Sequence, residues 1–191
     1  RSFQDEGTTY SSILDVIMEE YPGRKFMMTA GKGSRIPGFV LQYDETDWEF
    51  ARRLASHFET DIYPDSIDKG VKIHFGEPDM NGAPVVNSNE YTIEKDSNGE
   101  YCYLVKLRDL YYMGDWMVAA IRTEAEGNEL YHTYRLLQKK GLKITKKYNG
   151  YNTGLALTAE VTAVEKDRVQ VEIEKDENRS RAGKRWFAYA T

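Results

Sequence analysis

The spacing of apolar positions changes along the chain, and each change predicts a different kind of element. Between Ser11 and Tyr21 the residues Ile13, Leu14, Val16, Ile17 and Tyr21 recur near every 3.6 positions, which is the pattern of an amphipathic helix. Ser11 or Ser12 stands where a cap is needed, and Pro22-Gly23 supplies a stop. A short strand over Lys25 to Thr29 follows, and the two glycines of the segment Ala30 to Arg35 predict a loop. A second helix is expected from Asp47 to about Phe58, with Trp48, Ala51, Leu54, Ala55 and Phe58 on one face and Phe50 beside it. That face predicts Trp48, Leu54 and Phe58 buried together. Thr46 and Glu49 have the spacing of a capping box, in which each side chain satisfies a backbone donor at the helix start. Asp47 places negative charge in the first turn, where the helix dipole favours it, and Arg53 is within reach of Glu49.

Beyond the second helix the period shortens to two. Brief strands are expected over Asp61 to Tyr63 and Val71 to Phe75, separated by the turn region Pro64 to Gly70. Gly76 to Asn89 contains two prolines, two glycines and three asparagines, the composition of a linker. Tyr91 to Glu94 and Tyr101 to Leu107 flank a hairpin turn at Asp96-Ser-Asn-Gly99, and Trp116 to Glu124 and Glu129 to Gln138 are joined at Glu126-Gly127-Asn128. Tyr131 to Gln138 is also open to a helix, but the turn before it and its aromatics favour a strand. Four strands at short intervals predict a small antiparallel barrel or sandwich. Leu155 to Glu174 then alternates around a tight Lys166-Asp167 turn. The expected fold class is α+β, mostly β. It comprises a helix-bearing α/β part over residues 1–80, an antiparallel barrel-like part over 81–145, and a linker with an opening hairpin over 146–191.

Composition narrows the function classes. At 191 residues the chain is long enough to bury a core, and 40% hydrophobic with 30% charged residues is ordinary for a globular protein. Fourteen tyrosines, seven phenylalanines and three tryptophans favour strands. A formal charge of −5 provides no general attraction to nucleic acid or anionic membrane. Lys139-Lys140 and Lys146-Lys147 accordingly read as solvated strand ends. The single Cys102 lies in an alternating strand, where a packed thiol is expected, and one cysteine forms no internal disulfide. No apolar run approaches the roughly 20 residues of a membrane-spanning helix. The chain opens on Arg1 and shows no signal peptide, which points to a piece of a longer polypeptide.

Candidate chemistry is sparse. Gly31-Lys32-Gly33-Ser34 lacks the glycine that a phosphate loop places five residues earlier. Asp44, Glu45 and Asp47 invite an acid–base or metal reading, but two of them occupy turn and cap positions where carboxylates are structurally preferred. His57, His74 and His132 have no partner at metal-ligand spacing. The cluster Tyr111-Tyr112-Met-Gly-Asp-Trp116 offers stacking surface for sugars or bases, or packing. Asn178-Arg-Ser180 fits a short glycosylation pattern. Neither a catalytic residue, a cofactor nor a metal is expected.

The run Phe39-Val-Leu-Gln-Tyr-Asp-Glu-Thr-Asp-Trp-Glu-Phe-Ala-Arg-Arg-Leu54 resembles a signature of the phage late control gene D proteins. These are similar to the VgrG spike proteins of type VI secretion. The residues that carry the resemblance, as a structural motif, are Gln42, Tyr43, Glu45, Thr46, Asp47, Trp48, Glu49, Phe50, Arg53 and Leu54. The terminal hairpin, followed by Gly183-Lys-Arg-Trp-Phe-Ala-Tyr, is similar to the opening of the oligonucleotide/oligosaccharide-binding-like barrel that follows the hub in that family.

The resemblance implies a baseplate hub of a phage tail, tail-like particle or secretion system, made in the bacterial cytoplasm and carried in the virion or injection particle. Its implied partners are other copies in a homotrimer, a tail tube protein, and a spike segment or effector, with no nucleic acid and no stable membrane insertion. It also implies that the family's first barrel and most of its last lie outside these residues, so this piece is expected to be monomeric or weakly associated, its last hairpin mobile or paired with a neighbour. A carbohydrate- or peptidoglycan-binding or -acting module is the alternative, to be recognised by a groove lined by Trp116, Tyr111 and Asp115.

Overall fold

Helix α2 (Asp47–Ser56) organises the larger part of the molecule. Phe50, Ala51, Leu54 and Ala55 on its inner face are fully buried. In the computed structural model, which describes residues 1–65, 72–78, 92–95, 101–107 and 116–189, this face meets Tyr10, Ile13, Leu14 and Ile17 of α1 (Tyr10–Met18) in one hydrophobic core. Phe3, Val40, Ile62, Ile73 and Phe75 complete that core from short strands. The fold is α+β and mostly β, with two helices and several small open sheets among the described residues.

Both helices begin with capping boxes. In α1 the cap is Thr9, with Ser12 as its partner three residues on, rather than either serine alone. In α2 Thr46 and Glu49 fill the expected roles. The expected burial of Trp48 is not met: it is 42% exposed and Phe50 takes its place. Helical geometry gives the reason, because the covered arc runs from Phe50 through Leu54 and Ala51 to Ala55 and its centre lies about 90° round from Trp48, which sits at its border. Phe58 lies beyond the end of α2, half-buried, with its ring edge-on to Tyr10 and Phe75.

The first two sheets embrace these helices. Strand β1 (Ser2–Phe3) pairs antiparallel with β3 (Val40–Leu41). The other sheet has the order β2 (Lys25–Met28), β5 (Lys72–Phe75), β4 (Ile62–Asp65), parallel between β2 and β5 and antiparallel between β5 and β4. The parallel pair is possible because the chain from β2 to β5 passes through α2, a crossover long enough to return in the same direction.

Strands β6 (Thr92–Lys95), β7 (Tyr101–Leu107), β8 (Trp116–Glu126) and β9 (Glu129–Gln138) form one antiparallel sheet in the order β6-β7-β9-β8. The strand reading of Tyr131 to Gln138 holds, with β8 and β9 joined around Gly127 and Asn128. The sheet is open, which corrects the expected barrel or sandwich. Strand β9 pairs with both β7 and β8, leaving β6 and β8 as edges that do not pair with each other among the described residues. Tyr134 and Leu136 are its buried residues among those described. Short 3-10 turns follow at Lys139–Leu142 and Gly150–Asn152.

A last antiparallel sheet has β11 (Arg168–Ile173) between β10 (Ala159–Glu165) and β12 (Trp186–Ala188). The chain divides into two compact units, Arg1–Pro78 with Thr145–Thr191, and Asp79–Ile144. The terminal segment therefore belongs with the helix-bearing part instead of standing apart as a separate module. Its attachment is specific. Ser2 donates from its backbone N–H and hydroxyl to Asp176 at 2.9 and 2.6 Å, Asn178 Nδ2 donates to the Ser2 carbonyl at 2.8 Å, and Gln4 N–H donates to the Ala182 carbonyl at 2.6 Å. Gly183 closes the seam at positive φ, where a Cβ would lie 2.3 Å from that of Asp5. No helix among the described residues is long and apolar enough to cross a membrane.

Candidate functional site

The motif from Gln42 to Leu54 is held almost entirely by its own polar side chains. Thr46 accepts from the Glu49 N–H at 3.2 Å, while one Glu49 carboxylate oxygen accepts from the Thr46 N–H and hydroxyl, each at 2.8 Å. These bonds lower the Glu49 carboxyl below its ordinary value. With Glu49 committed to the cap, Arg53 turns the other way. It grips Glu45 at 2.6 and 3.1 Å and donates to the Leu41 carbonyl at 2.8 Å, which corrects the expected Arg53–Glu49 pair. Both partners are close to fully buried, and the Arg53 guanidinium lies 5.0 Å over the Phe50 ring. The pair thus clamps β3 to α2.

Asp47 has a separate set of partners. It accepts from Arg1 at 2.6 Å, from Gln42 at 2.7 Å and from the Tyr21 hydroxyl at 3.0 Å. Burial works against its charge, but these hydrogen bonds and the Arg1 charge outweigh it and hold the carboxyl below its ordinary value. Arg1 also pairs with Glu20 and donates to the Gln42 side chain at 3.0 Å. Asp44, in the turn before the cap, adopts a left-handed backbone at φ +49°, a conformation that aspartate tolerates better than most residues. Asp44, Glu45 and Asp47 therefore serve a turn, an ion pair and a hydrogen-bond hub, and do not converge on one point as an acid–base pair would.

Other sequence candidates resolve into local roles. The Tyr10 hydroxyl and His57 Nδ1 lie 2.8 Å apart, and burial, then the nearby charges of Lys146 and Arg53, lower the imidazole to about 4. His74 stands 3.6 Å from Asp65, and His132 hydrogen-bonds Thr123 at 2.9 Å. Among the described residues no group of three histidines, cysteines or acids is placed to hold a metal. Gly31 fits against the face of Phe58, where a Cβ would come within 2.4 Å of the ring, so the glycine-rich loop serves packing. Asn178 is buried with its amide nitrogen engaged by Ser2, which removes it as a glycosylation acceptor. Tyr111, Tyr112 and Asp115, and the side chains of Trp116 and Cys102, lie outside the described residues.

Two surfaces border the motif. On one side Trp48, Ile17, Met18, Tyr21, Phe26 and Ile73 line an apolar groove of about 340 Å³. On the other, the connector before β10 is pinned along β3 and α2. Lys147 N–H donates to the Ser56 hydroxyl at 2.8 Å, and Asn149 Nδ2 donates to the Tyr43 carbonyl at 2.6 Å. Asn149 also caps the Gly150–Asn152 turn by accepting from the Tyr151 N–H at 2.9 Å. Sequence reasoning missed this connector, whose asparagines and glycines carry no periodic signal. Compared with protein-family models, curated proteins and solved structures, the chain matches none.

Proposed function

We propose that this chain is a structural module of a contractile-tail hub, joining a tail tube to its spike. The reading rests on the resemblance of Phe39 to Leu54 to the hub signature, and one observation supports a mechanical role for that run. Its Glu45, Asp47, Glu49 and Arg53 side chains are spent on fixing the start of a helix and its strand, through the Glu45–Arg53 clamp, the Thr46–Glu49 cap and the Asp47 hub. Such a joint resists bending because breaking it strands a buried charge, which costs about 3–5 kcal/mol. On this reading the protein turns over no substrate. It works as copies of itself in a homotrimer, bound to a tube protein on one side and a spike segment or effector on the other.

The test is assembly of the protein encoded by the complete reading frame. Analytical ultracentrifugation should give a homotrimer that co-sediments with the tail tube protein, and antibodies to these residues should label one end of purified particles. A monomeric full-length protein that ignores the tube would sink the assignment.

A further inference from the structure

Two of the most exposed large side chains among the described residues, Tyr148 at 78% and Tyr151 at 66%, sit on the pinned connector beside the motif. Exposed tyrosines on a mobile loop would need no explanation. The chain that carries them is held from below: Lys147 N–H donates to the Ser56 hydroxyl, the Asn149 side chain donates to the Tyr43 carbonyl, and Tyr151 N–H donates to the Asn149 side chain. Tyr43, on the strand side, is a third exposed aromatic. Fixing the chain that presents aromatic rings before a ligand arrives removes part of the ordering cost of binding.

The groove between Tyr148, Tyr151 and the α2 cap has a volume of about 270 Å³ and is bordered by Asp44, Glu49, Arg52 and Lys147. Its charges balance. Its lining carries three carboxylates, Asp44, Glu45 and Glu49, and three cations, Arg52, Arg53 and Lys147, with Arg53 paired to Glu45, Arg52 paired to Asp61 and Glu49 held by the Thr46 cap. The Asp44 carboxylate forms no ion pair among the described residues, and the Lys147 charge acts on Asp61 without a close ion pair. Lys146 lies 5.4 Å over one face of Tyr148, leaving the opposite face for a ligand.

We propose that this shelf binds a neutral oligosaccharide. A pyranose ring presents weakly positive C–H groups on its faces, which suit the negative face of an aromatic ring. Its rim of hydroxyls both donates and accepts, so it satisfies an unpaired carboxylate, an ammonium and two phenol hydroxyls together. A charged polymer finds no excess of opposite charge here, and a proline-rich peptide would stack on the tyrosines but bring no hydroxyls to Asp44 and Lys147. The sugar site is independent of the hub reading and would stand if that reading failed.

The test uses the 191-residue protein with chitotetraose and cellotetraose as neutral probes and decaproline as the peptide control. Calorimetry should give dissociation constants of about 0.1–1 mM for at least one tetrasaccharide. Saturation-transfer NMR should show the sugar C–H protons receiving magnetisation from tyrosine rings. Tyr148→Ala and Tyr151→Ala should each weaken binding by about tenfold, and Asp44→Asn by a few-fold. Melting temperatures should stay unchanged, because none of these side chains contributes to the core. Absence of binding by either sugar at about 10 mM, binding that survives the double tyrosine substitution, or binding of decaproline in place of sugar would each overturn the proposal.

Discussion

Helix α2 and the β10–β11 hairpin start from similarly clear sequence patterns and end in opposite environments. The apolar stripe of α2 places four residues at zero exposure. The alternation of β10 leaves Val161 at 54% and Val164 at 63% exposed. Polar residues sharpen the contrast. Those around α2 fasten it, through a capping box, a nearly buried ion pair and a shielded carboxylate hub. Those on the hairpin form exposed pairs such as Arg179–Glu172 and Arg168–Glu165, which add little against solvent. A patterned segment becomes core only where a complementary face is present. Among the described residues strand β10 pairs with β11 alone, and its outer edge presents backbone groups of the kind that invite another strand.

The comparison can be broken most decisively at Leu54. Replacing it with alanine should cost about 2–5 kcal/mol in denaturant titration, and a loss below about half a kcal/mol would show that the α2 face is not the centre of the fold. Next comes Glu45→Gln, which removes the charge opposite the nearly buried Arg53 guanidinium and leaves it an amide oxygen and the Leu41 carbonyl. The expected loss is about 3 kcal/mol. Replacing both partners, as Glu45→Gln with Arg53→Met, should recover part of it, whereas an additive loss would show that the two side chains act separately.

A smaller effect follows from His57. Its imidazole lies at about 4 in the fold against about 6.5 in an unfolded chain. The unfolded state therefore binds the proton more readily between these values. The contribution to stability is complete above about 6.5, falls as pH drops toward 4, and levels off below that. Because the ring is only half-buried, the loss should be about 1–2 kcal/mol, less than the full shift implies. Replacing His57 with glutamine should flatten this window. Asp47, whose carboxyl is lowered, loses its contribution only as pH falls below the ordinary carboxylate value near 4, so the two transitions are separable in a pH series. The smallest effect belongs to Val164→Ala, expected to shift stability by no more than about 0.5 kcal/mol. A loss comparable to that of Leu54→Ala would mean that the hairpin is covered in solution.

Much of the motif is legible in the sequence alone. The spacing of Thr46 and Glu49 specifies a cap because the bonds involved span only three residues, and the run from Ile13 to Ile17 specifies a helix because its period is local. The same locality made the strand readings of β7, β8 and β9 sound. What failed was any inference that required knowing a distant partner. Trp48 looked apolar enough for the core, but the angular position of Phe50 relative to α1 and β1 decided which of them was covered. Arg53 had two glutamates within reach, and the choice of Glu45 followed from Glu49 being taken by the cap and from the Leu41 carbonyl lying alongside.

The sequence by itself determined where helices and strands begin, which residues cap them, and the signature on which the hub reading stands. These depend on interactions within a few residues, whose geometry the backbone fixes. The parallel pairing of β2 with β5, the open sheet in place of a barrel, and the seam joining Ser2 and Gln4 to Asp176, Asn178 and Ala182 were decided by the tertiary structure alone. So was the shelf of Tyr148 and Tyr151. Each brings together groups far apart in the chain, and hydrogen bonds act over about 3 Å, a proximity that only the folded chain creates.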